Sequence, residues 1–453
     1  MAGTPATAVV PGALHARPGA RAWTVLAVLC FVYVLNFLDR QLLSILAKPI
    51  QDELGISDGQ LGLIGGLYFA MFYCILAIPV GWLADRTNRV KVLAFSCGLW
   101  SAATAACGMA SSYPQLALAR MAVGVGEAGG VPPSYAIISD YFPPGTRGTA
   151  LGLFNLGPPI GAAMGVAFGA SVAAAYSWRM AFVWVGAVGV VTAVGVWCFI
   201  REPRKGGLDV APVQPPAQAQ ATTQSATQSQ PAVAAPGFAD TCRSFFANPV
   251  LRNMALACGA TQFVTYAMLN FTVLLLMREK GMTLEDVAVW YALVFGVGSA
   301  MGMFLSGRLI DRLARRSRTA YAYLPAVGLV LAMPFFVGFV WAGSWQLALV
   351  FLFLPTGLNY FYLSPAVTLV QEEVRPDQRV LSGALLLLVM NLIGLGFGPT
   401  YLGLASDFFR ATHPDNSLQM AFYTLIPFYA LAVGMFLLLA RSICRQDAQE
   451  TQP

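Results

Sequence analysis

Charge is scarce in this sequence. Asp, Glu, Lys and Arg together make up 11% of its 453 residues, against roughly 25% in an average soluble domain. So few charges cannot cover a water-exposed globular surface, and the 57% share of hydrophobic residues and mean hydropathy of +0.65 agree. Histidine is nearly absent: His15 and His413 are far apart and outside the apolar runs, which gives a metal site no support. The eight cysteines show no C-x-x-C spacing, and six of them, Cys30, Cys74, Cys97, Cys107, Cys198 and Cys258, fall inside apolar runs. They read as small apolar side chains rather than a disulfide framework. The first 20 residues contain no continuous apolar core followed by a small-residue cleavage site, so no removable signal peptide is expected and the first span directs insertion. No enzyme is expected either, since no nucleophile is accompanied by a base and an orienting partner.

What is present in quantity is long apolar runs. Stretches of about 20 residues, the length a helix needs to cross a bilayer core, begin near Trp23, Gln60, Val90, Pro114, Arg147, Trp178, Pro249, Glu285, Thr319, Trp345, Arg379 and Leu418. The fold class expected is an all-α membrane protein with twelve transmembrane helices. Basic residues select the orientation: with the N-terminus inside, Arg86, Arg89, Lys91, Arg147, Arg201, Arg312, Arg315, Arg379 and Arg441 are among the many on the cytoplasmic side. Lys48, Arg179, Arg278, Lys280 and Arg410 fall outside. Both termini are thus expected in the cytoplasm of a cell with this protein in its inner (plasma) membrane. The net charge of +6 reflects that topology and argues against nucleic-acid binding, since no domain is basic on one face.

The expected organisation is a disordered N-terminus over residues 1–22, a six-helix bundle over 23–200, a largely disordered linker over 201–248, a second bundle over 249–441 and a cytoplasmic tail over 442–453. The linker follows from composition, because residues 213–236 are almost wholly Pro, Gln, Ala, Thr and Ser and cannot bury enough apolar surface to order themselves. The two bundles repeat each other. Gly81, Asp85, Arg86 and Arg89 after the second span match Gly307, Asp311, Arg312 and Arg315 after the eighth, as G-x-L-x-D-R-x-x-R in both copies. Gly157-Pro158 in the fifth span is echoed by Gly398-Pro399 in the eleventh. These prolines remove helical hydrogen bonds and bend their spans, either as a moving joint or as a fixed kink.

Six plus six spans with this loop motif resemble the major facilitator superfamily. The resemblance implies two pseudo-symmetric bundles around a central cavity that rock in alternating access, with the loop motif (Gly81, Asp85, Arg86, Arg89, Asp311, Arg312) latching the cytoplasmic side. Asn88 departs from the family pattern, which usually has Gly there. On charge alone, the motif's basic residues also serve topology and can bind carboxylates and lipid phosphates.

Against this apolar background, four ionisable residues lie within spans: Asp39 and Arg40 in the first, Arg120 and Glu127 in the fourth. An acid or base at a helix centre costs about 2.5 to 3.5 kcal/mol even on lenient scales, so such residues are read first as functional. At ~1.5 Å per residue, Asp39 is about 24 Å from the inner start of its span and Arg120 about 9 Å from the outer start of the fourth, so their depths match. Arg40 is turned about 100° from Asp39 around the helix, and Glu127 lies about 10 Å deeper than Arg120, with no partner evident. Asp39 is expected to be a switching acid, Arg120 its partner or a substrate-headgroup contact, and Glu127 a second titrating acid; a static lock would also account for Asp39 with Arg120. Gly124, Gly126 and Gly129 spell G-x-G-x-x-G, but in mid-span and without the strand that a dinucleotide site requires. No cofactor is expected, and small residues that let helices approach closely are the better account. Other intramembrane polar groups, Tyr33, Asn36, Asn155, Gln262, Thr265, Tyr266, Asn270, Asn359, Tyr360, Tyr362 and Asn391, could contact substrate or merely bridge helices.

The first-span run from Tyr33 through Asn36 to Asp39-Arg40, with Arg120, Glu127, Asp140-Tyr141-Phe142-Pro143-Pro144 and Gly152-Leu153-Phe154, resembles the Spinster family of lipid transporters, as a bacterial member. The resemblance implies proton-linked movement of a small amphipathic substrate, a lysophospholipid or sphingoid-type lipid. Its headgroup would lie in the polar cavity, where Arg40 or Arg120 could hold a phosphate. The partners expected are that substrate, protons and membrane lipids, with the chain a monomer. Aromatic and Met-rich walls would also suit a drug or organic anion, and a non-transporting sensor is a third reading, disfavoured by the shortness of the tail.

Overall fold

The computed structural model describes residues 18–143, 146–204, 238–374 and 378–450. Residues 1–17, 205–237 and 451–453, and with them most of the expected N-terminal segment and linker, lie outside the described residues. The described residues are helical throughout and contain no strand. Eleven helical stretches are long and apolar enough to cross a membrane, from Ala20–Ile45 to Ser417–Gln449. The remaining fourth span is there but broken into two shorter helices, Tyr113–Glu127 and Val131–Tyr141. Twelve spans result. Large apolar side chains such as Phe199 (81% exposed), Phe408 (76%) and Val191 (72%) cover the outside, a surface that only lipid would stabilise.

Two boundaries differ from expectation. Residues 238–247 of the expected linker form a helix, Phe238–Ala247, which buries Phe245, because the Pro- and Gln-rich composition ends at residue 236. The last helix also runs on through the expected tail to Glu450. Helix starts follow local chemistry. Ser57 and Gln60 form a capping box ahead of the second span, and Asn248, Ser177 and Ser344 cap later ones, each satisfying a first-turn amide that would otherwise be orphaned. Asn88, the departure in the loop motif, accepts from the Lys91 amide at 2.8 Å and so caps the third span. A glycine there could not do this with a side chain.

Within the first bundle the third span packs on the sixth and the first on the fifth; within the second the seventh packs on the twelfth and the ninth on the tenth. The bundles meet where the second span touches the eleventh, the fifth touches the eighth and the first touches the seventh. The first two contacts exchange under the duplication, as a two-fold repeat requires. Second and eleventh spans approach backbone to backbone: a Cβ on Gly62 would lie 2.4 Å from the Pro399 carbonyl oxygen, and one on Gly403 2.2 Å from that of Asp58. Any side chain at either glycine pushes the spans apart.

Charge then fastens this end. Asp58, fully buried, accepts from Arg278 at 2.9 Å, Ser406 at 2.6 Å, Gln51 at 2.6 Å and Arg410 at 3.2 Å. Asp407 of the eleventh span accepts from the first two amides of the second, Asp58 at 3.1 Å and Gly59 at 2.8 Å. Two of that helix's free N–H groups are therefore capped by the opposite bundle. Nearby, Glu279 accepts from the Leu418 and Gln419 amides at 2.8 and 2.9 Å; burial raises its pKa, with those amides pulling the other way. Burial likewise lowers the pKa of Lys280, whose ammonium donates to the Val340 and Ala342 carbonyls.

Gly403→Val is expected to prevent this end from closing. In a background without native cysteines, a reporter Leu61→Cys, at a position 4% exposed here, would gain several-fold in labelling by an impermeant maleimide. Unchanged labelling would show that the spans tolerate the added side chain.

Candidate functional site

The four charged residues inside the spans are gathered into two buried pairs. Asp39, Arg120 and Glu127 are each 1 to 2% exposed. Arg120 Nη1 stands 3.6 Å from Asp39 Oδ1, the meeting that their matched depths predict. The separation is that of an ion pair, too long for a hydrogen bond. Glu127 is not alone, and here the sequence-based expectation is corrected: Arg40 Nε donates to Glu127 Oε2 at 2.6 Å. The same rotation that turns Arg40 away from Asp39 aims it at another neighbour, and its long side chain spans the difference in depth. Arg40 is also enclosed by aromatic faces, its guanidinium carbon 5.0 Å from the Phe37 ring centre, 5.2 Å from Phe69 and 4.9 Å from Tyr73. The face of Phe69 is shared, since Arg120 lies 5.5 Å from it. Ring quadrupoles favour a cation held over their faces.

The backbone is irregular where the chemistry is. Glu127 is the last residue of its helix, and the turn that follows is closed by Gly129 N–H to Gly126 O at 3.3 Å and Gly130 N–H to Glu127 O at 3.0 Å. Pro132 and Pro133 explain the break, because neither can donate to the carbonyl four residues back, while both are tolerated at the start of the new helix. Other polar residues singled out from the sequence also mark breaks: Asn155 ends a helix ahead of Gly157-Pro158, Asn359 ends Trp345–Leu358, and Asn391 opens a π-helical turn, Asn391–Phe397, ahead of Pro399. The glycine run serves packing. A Cβ on Gly126 would lie 2.5 Å from the Trp100 amide nitrogen, and one on Gly129 2.1 Å from Ser96 Oγ.

The other expected contacts divide. Asn359 is tied to Tyr429, donating to its hydroxyl at 3.0 Å, and Asn155 accepts from Tyr135 at 2.6 Å. Tyr33 stacks on Phe154 with centroids 4.4 Å apart, and Thr265 donates back to the Thr261 carbonyl. Tyr362 is buried and Tyr360 half-buried. Asn270 and Tyr266 sit where the bundles meet: Ser44 of the first span donates to Asn270 Oδ1 at 3.3 Å, and Tyr266 lies close enough to act electrostatically on Arg40. Asn36 and Gln262 are buried with their side-chain oxygens taking no hydrogen bond, and so are Gln41 Oε1, Asp39 Oδ1 and Glu127 Oε1. Five acceptor oxygens on the first, fourth and seventh spans therefore await donors. Buried acceptors without partners are uncommon.

At the opposite end from Asp58, Arg89 of the loop motif is buried and clamped within its own bundle, 2.7 Å from Asp140 and 2.8 Å from Glu202. Arg318 holds Glu373 and Asp447 in the second bundle in the same manner. Arg86 rests on the Trp82 ring at 4.2 Å, and Asp311 and Arg312 are exposed; the side chain of Asp85 lies outside the described residues. Sequence reasoning passed over Thr104, Asp58 and Asp407. Asp58 carried a legible signal, being a charge at the start of an apolar span inside a Ser-x-x-Gln capping box.

Removing one partner of a buried ion pair strands a charge at about 3 to 5 kcal/mol. Arg40→Met should therefore lower the unfolding temperature in detergent markedly, and Arg40→Met with Glu127→Gln should recover most of the loss. A double variant no better than the single would show that the pair is not coupled.

The comparisons with known proteins agree with this architecture. The family model described as Major Facilitator Superfamily matches residues 29–399. The chain is 30% identical to an MFS-type efflux pump of Mycolicibacterium smegmatis, over 95% of both chains. It is 26% identical to human protein spinster homolog 1, over 89% of this chain and 76% of that one. A crystal structure of a bacterial homologue of the human lysosomal transporter Spinster, in an inward-facing and unoccupied conformation, superposes with a TM-score of 0.82 at 28% identity, covering 94% of this chain and 98% of that one. With twelve spans in two repeated bundles and a family match across most of its length, this chain belongs to the major facilitator superfamily of membrane transporters.

Proposed function

We propose that this protein is a proton-coupled secondary transporter of lysophospholipid or sphingoid-type lipids, working by alternating access as a monomer in the inner membrane with both termini cytoplasmic. The observation that carries the reading is the electrical balance of the site. Its two arginines face two carboxylates, each of which keeps one buried oxygen without a donor, as do Asn36, Gln41 and Gln262 elsewhere on the first and seventh spans. A site that is neutral overall and rich in free acceptors suits a headgroup that brings hydrogen-bond donors, such as an ammonium, an amine or hydroxyls. Lysophosphatidylethanolamine and sphingoid bases have such groups. Arg120 Nε and Nη1, buried without a hydrogen-bond acceptor, leave room for a phosphate oxygen of the same headgroup.

Proton coupling follows from the same pairs. An acid is held ionised by an adjacent guanidinium and accepts a proton more readily when the two separate. Asp39 and Arg120 lie on spans one and four of the same bundle, so a shift of these two spans against each other within that bundle, accompanying the rocking, would link proton uptake to the exposure of the site. The closure at the Asp58 end, which the loop charges place outside, supports reading this state as inward-facing. On that reading Asp58, Arg278, Arg410 and Asp407 are the outer latch, and Arg89, Arg86, Asp85, Asp311 and Arg312 are available for closure on the cytoplasmic side.

A second reading, proton-coupled drug or organic-anion transport, is favoured by one observation, the similarity to an efflux pump over 95% of both chains. Flux into proteoliposomes under an imposed pH gradient separates the two, with a lysophospholipid, a cationic dye and a sugar compared. Flux of the lysophospholipid alone is expected; flux of the dye alone would favour the drug reading. Asp39→Asn should reduce pH-driven lipid flux roughly tenfold or more, the change in an equilibrium that one pH unit represents. Full pH-dependent transport by that variant would remove Asp39 from the mechanism.

A further inference from the structure

Thr104, on the third span and 1% exposed, places one hydroxyl between two acceptors. Its Oγ1 is 2.5 Å from Asp39 Oδ2 and 2.9 Å from the Trp100 carbonyl oxygen. A hydroxyl has one proton to donate, so it cannot serve both oxygens at once. If Asp39 is ionised, the carboxylate and the carbonyl compete for that proton. If Asp39 is protonated, its own O–H donates to Thr104 Oγ1, and the Thr104 hydroxyl donates to Trp100. Only then are both short contacts hydrogen bonds.

We propose that Thr104 is the positioning residue of the proton site, its hydroxyl turning to Asp39 when the carboxylate is ionised and back to Trp100 when Asp39 carries the proton. The proposal rests on the reading of Asp39 as the proton carrier. Its setting is specific. Asp39 Oδ1 takes no hydrogen bond, and Arg120 stands beyond hydrogen-bond distance at 3.6 Å, so Thr104 is the donor in contact with the carboxylate. The other titratable groups facing Asp39 are Arg120 and Glu127 from the fourth span, Cys107 from the third and Arg40 from its own helix. The fifth span, packed along the first, contributes no titratable side chain to this face. A threonine suits the task because its hydroxyl can bond back to its own helix and leave again without any backbone movement.

On protonation the Asp39 O–H bond forms with a proton taken up from solvent, the Thr104 O–H···Oδ2 hydrogen bond is lost, and two bonds replace it, from the Asp39 O–H to Thr104 Oγ1 and from the Thr104 O–H to the Trp100 carbonyl. No covalent bond of Thr104 breaks, so the residue positions the site without relaying a proton of its own.

The test follows Asp39 directly, by pH-difference infrared spectroscopy of the purified full-length protein, with Asp39→Asn identifying its carboxyl band. Thr104→Val keeps the shape of the side chain and removes the hydroxyl. The ionised form then loses a charge-assisted hydrogen bond and the neutral form a weaker one, so the midpoint should move up by about one pH unit. The C=O stretch of the protonated acid should shift as the acceptor of its O–H, Thr104 Oγ1, disappears. Thr104→Ser should restore both, and Thr104→Ala, which cannot overpack the site, should match Thr104→Val. An unmoved midpoint and band in both the Val and Ala variants, with Asp39 still titrating, would overturn the role of Thr104 alone. Absence of any titrating Asp39 band in the unaltered protein would overturn the proton-carrier reading and this inference with it.

Discussion

Ionic groups surrounded by hydrocarbon are held in place by each other, and the arrangement of this molecule is organised around that constraint. Neither carboxylate in the first and fourth spans could remain charged at its depth without a guanidinium beside it, and neither arginine could be buried without a carboxylate or an aromatic face. The pairing joins the first span to the fourth twice, by Asp39 with Arg120 and by Arg40 with Glu127. Two adjacent residues of one helix therefore fix the rotation and the depth of another. The break in the fourth span falls directly after Glu127, so the paired carboxylate sits at the end of the helix that carries Arg120.

The same economy of charge appears at both ends of the bundles. Arg89 and Arg318 each gather two acids within one bundle, while Asp58 gathers partners from both. The end clamps thus differ in kind: one type makes each bundle rigid, the other joins the two. The alternating access proposed above needs that division, because a clamp crossing between bundles must release while a clamp within a bundle must hold.

Much of the fold was legible because its signals are long and redundant. Twenty-residue apolar runs and a loop motif present twice survive errors of a few residues. Depth arithmetic also placed Asp39 opposite Arg120, since rise per residue is a property of every helix. It failed for Glu127 because it treated charges as points. The helix is unbroken from Arg120 to Glu127, and the long, flexible side chain of Arg40 reaches across the difference in depth. Thr104 was illegible for a different reason: a threonine in an apolar span is common, and only its distances to Asp39 and Trp100 distinguish it. Asn155, Asn359 and Asn391 were noticed as polar, but their positions at helix breaks depend on prolines several residues away.

The cap that Asp407 places on the second span has a consequence for the solvent. While the bundles are closed at that end, the Asp58 and Gly59 amides, the Asp58 carboxylate and the guanidiniums of Arg278 and Arg410 satisfy one another with protein atoms. Once they part, each of these groups has to be hydrated, and the bared glycine faces must be wetted as well. Water is then a stoichiometric reactant in the opening step, and its thermodynamic activity enters the equilibrium as a ligand concentration would. Solutes excluded from the protein surface draw such an equilibrium toward the drier state, so in the alternating-access cycle proposed above a higher osmotic strength favours closure at the Asp58 end.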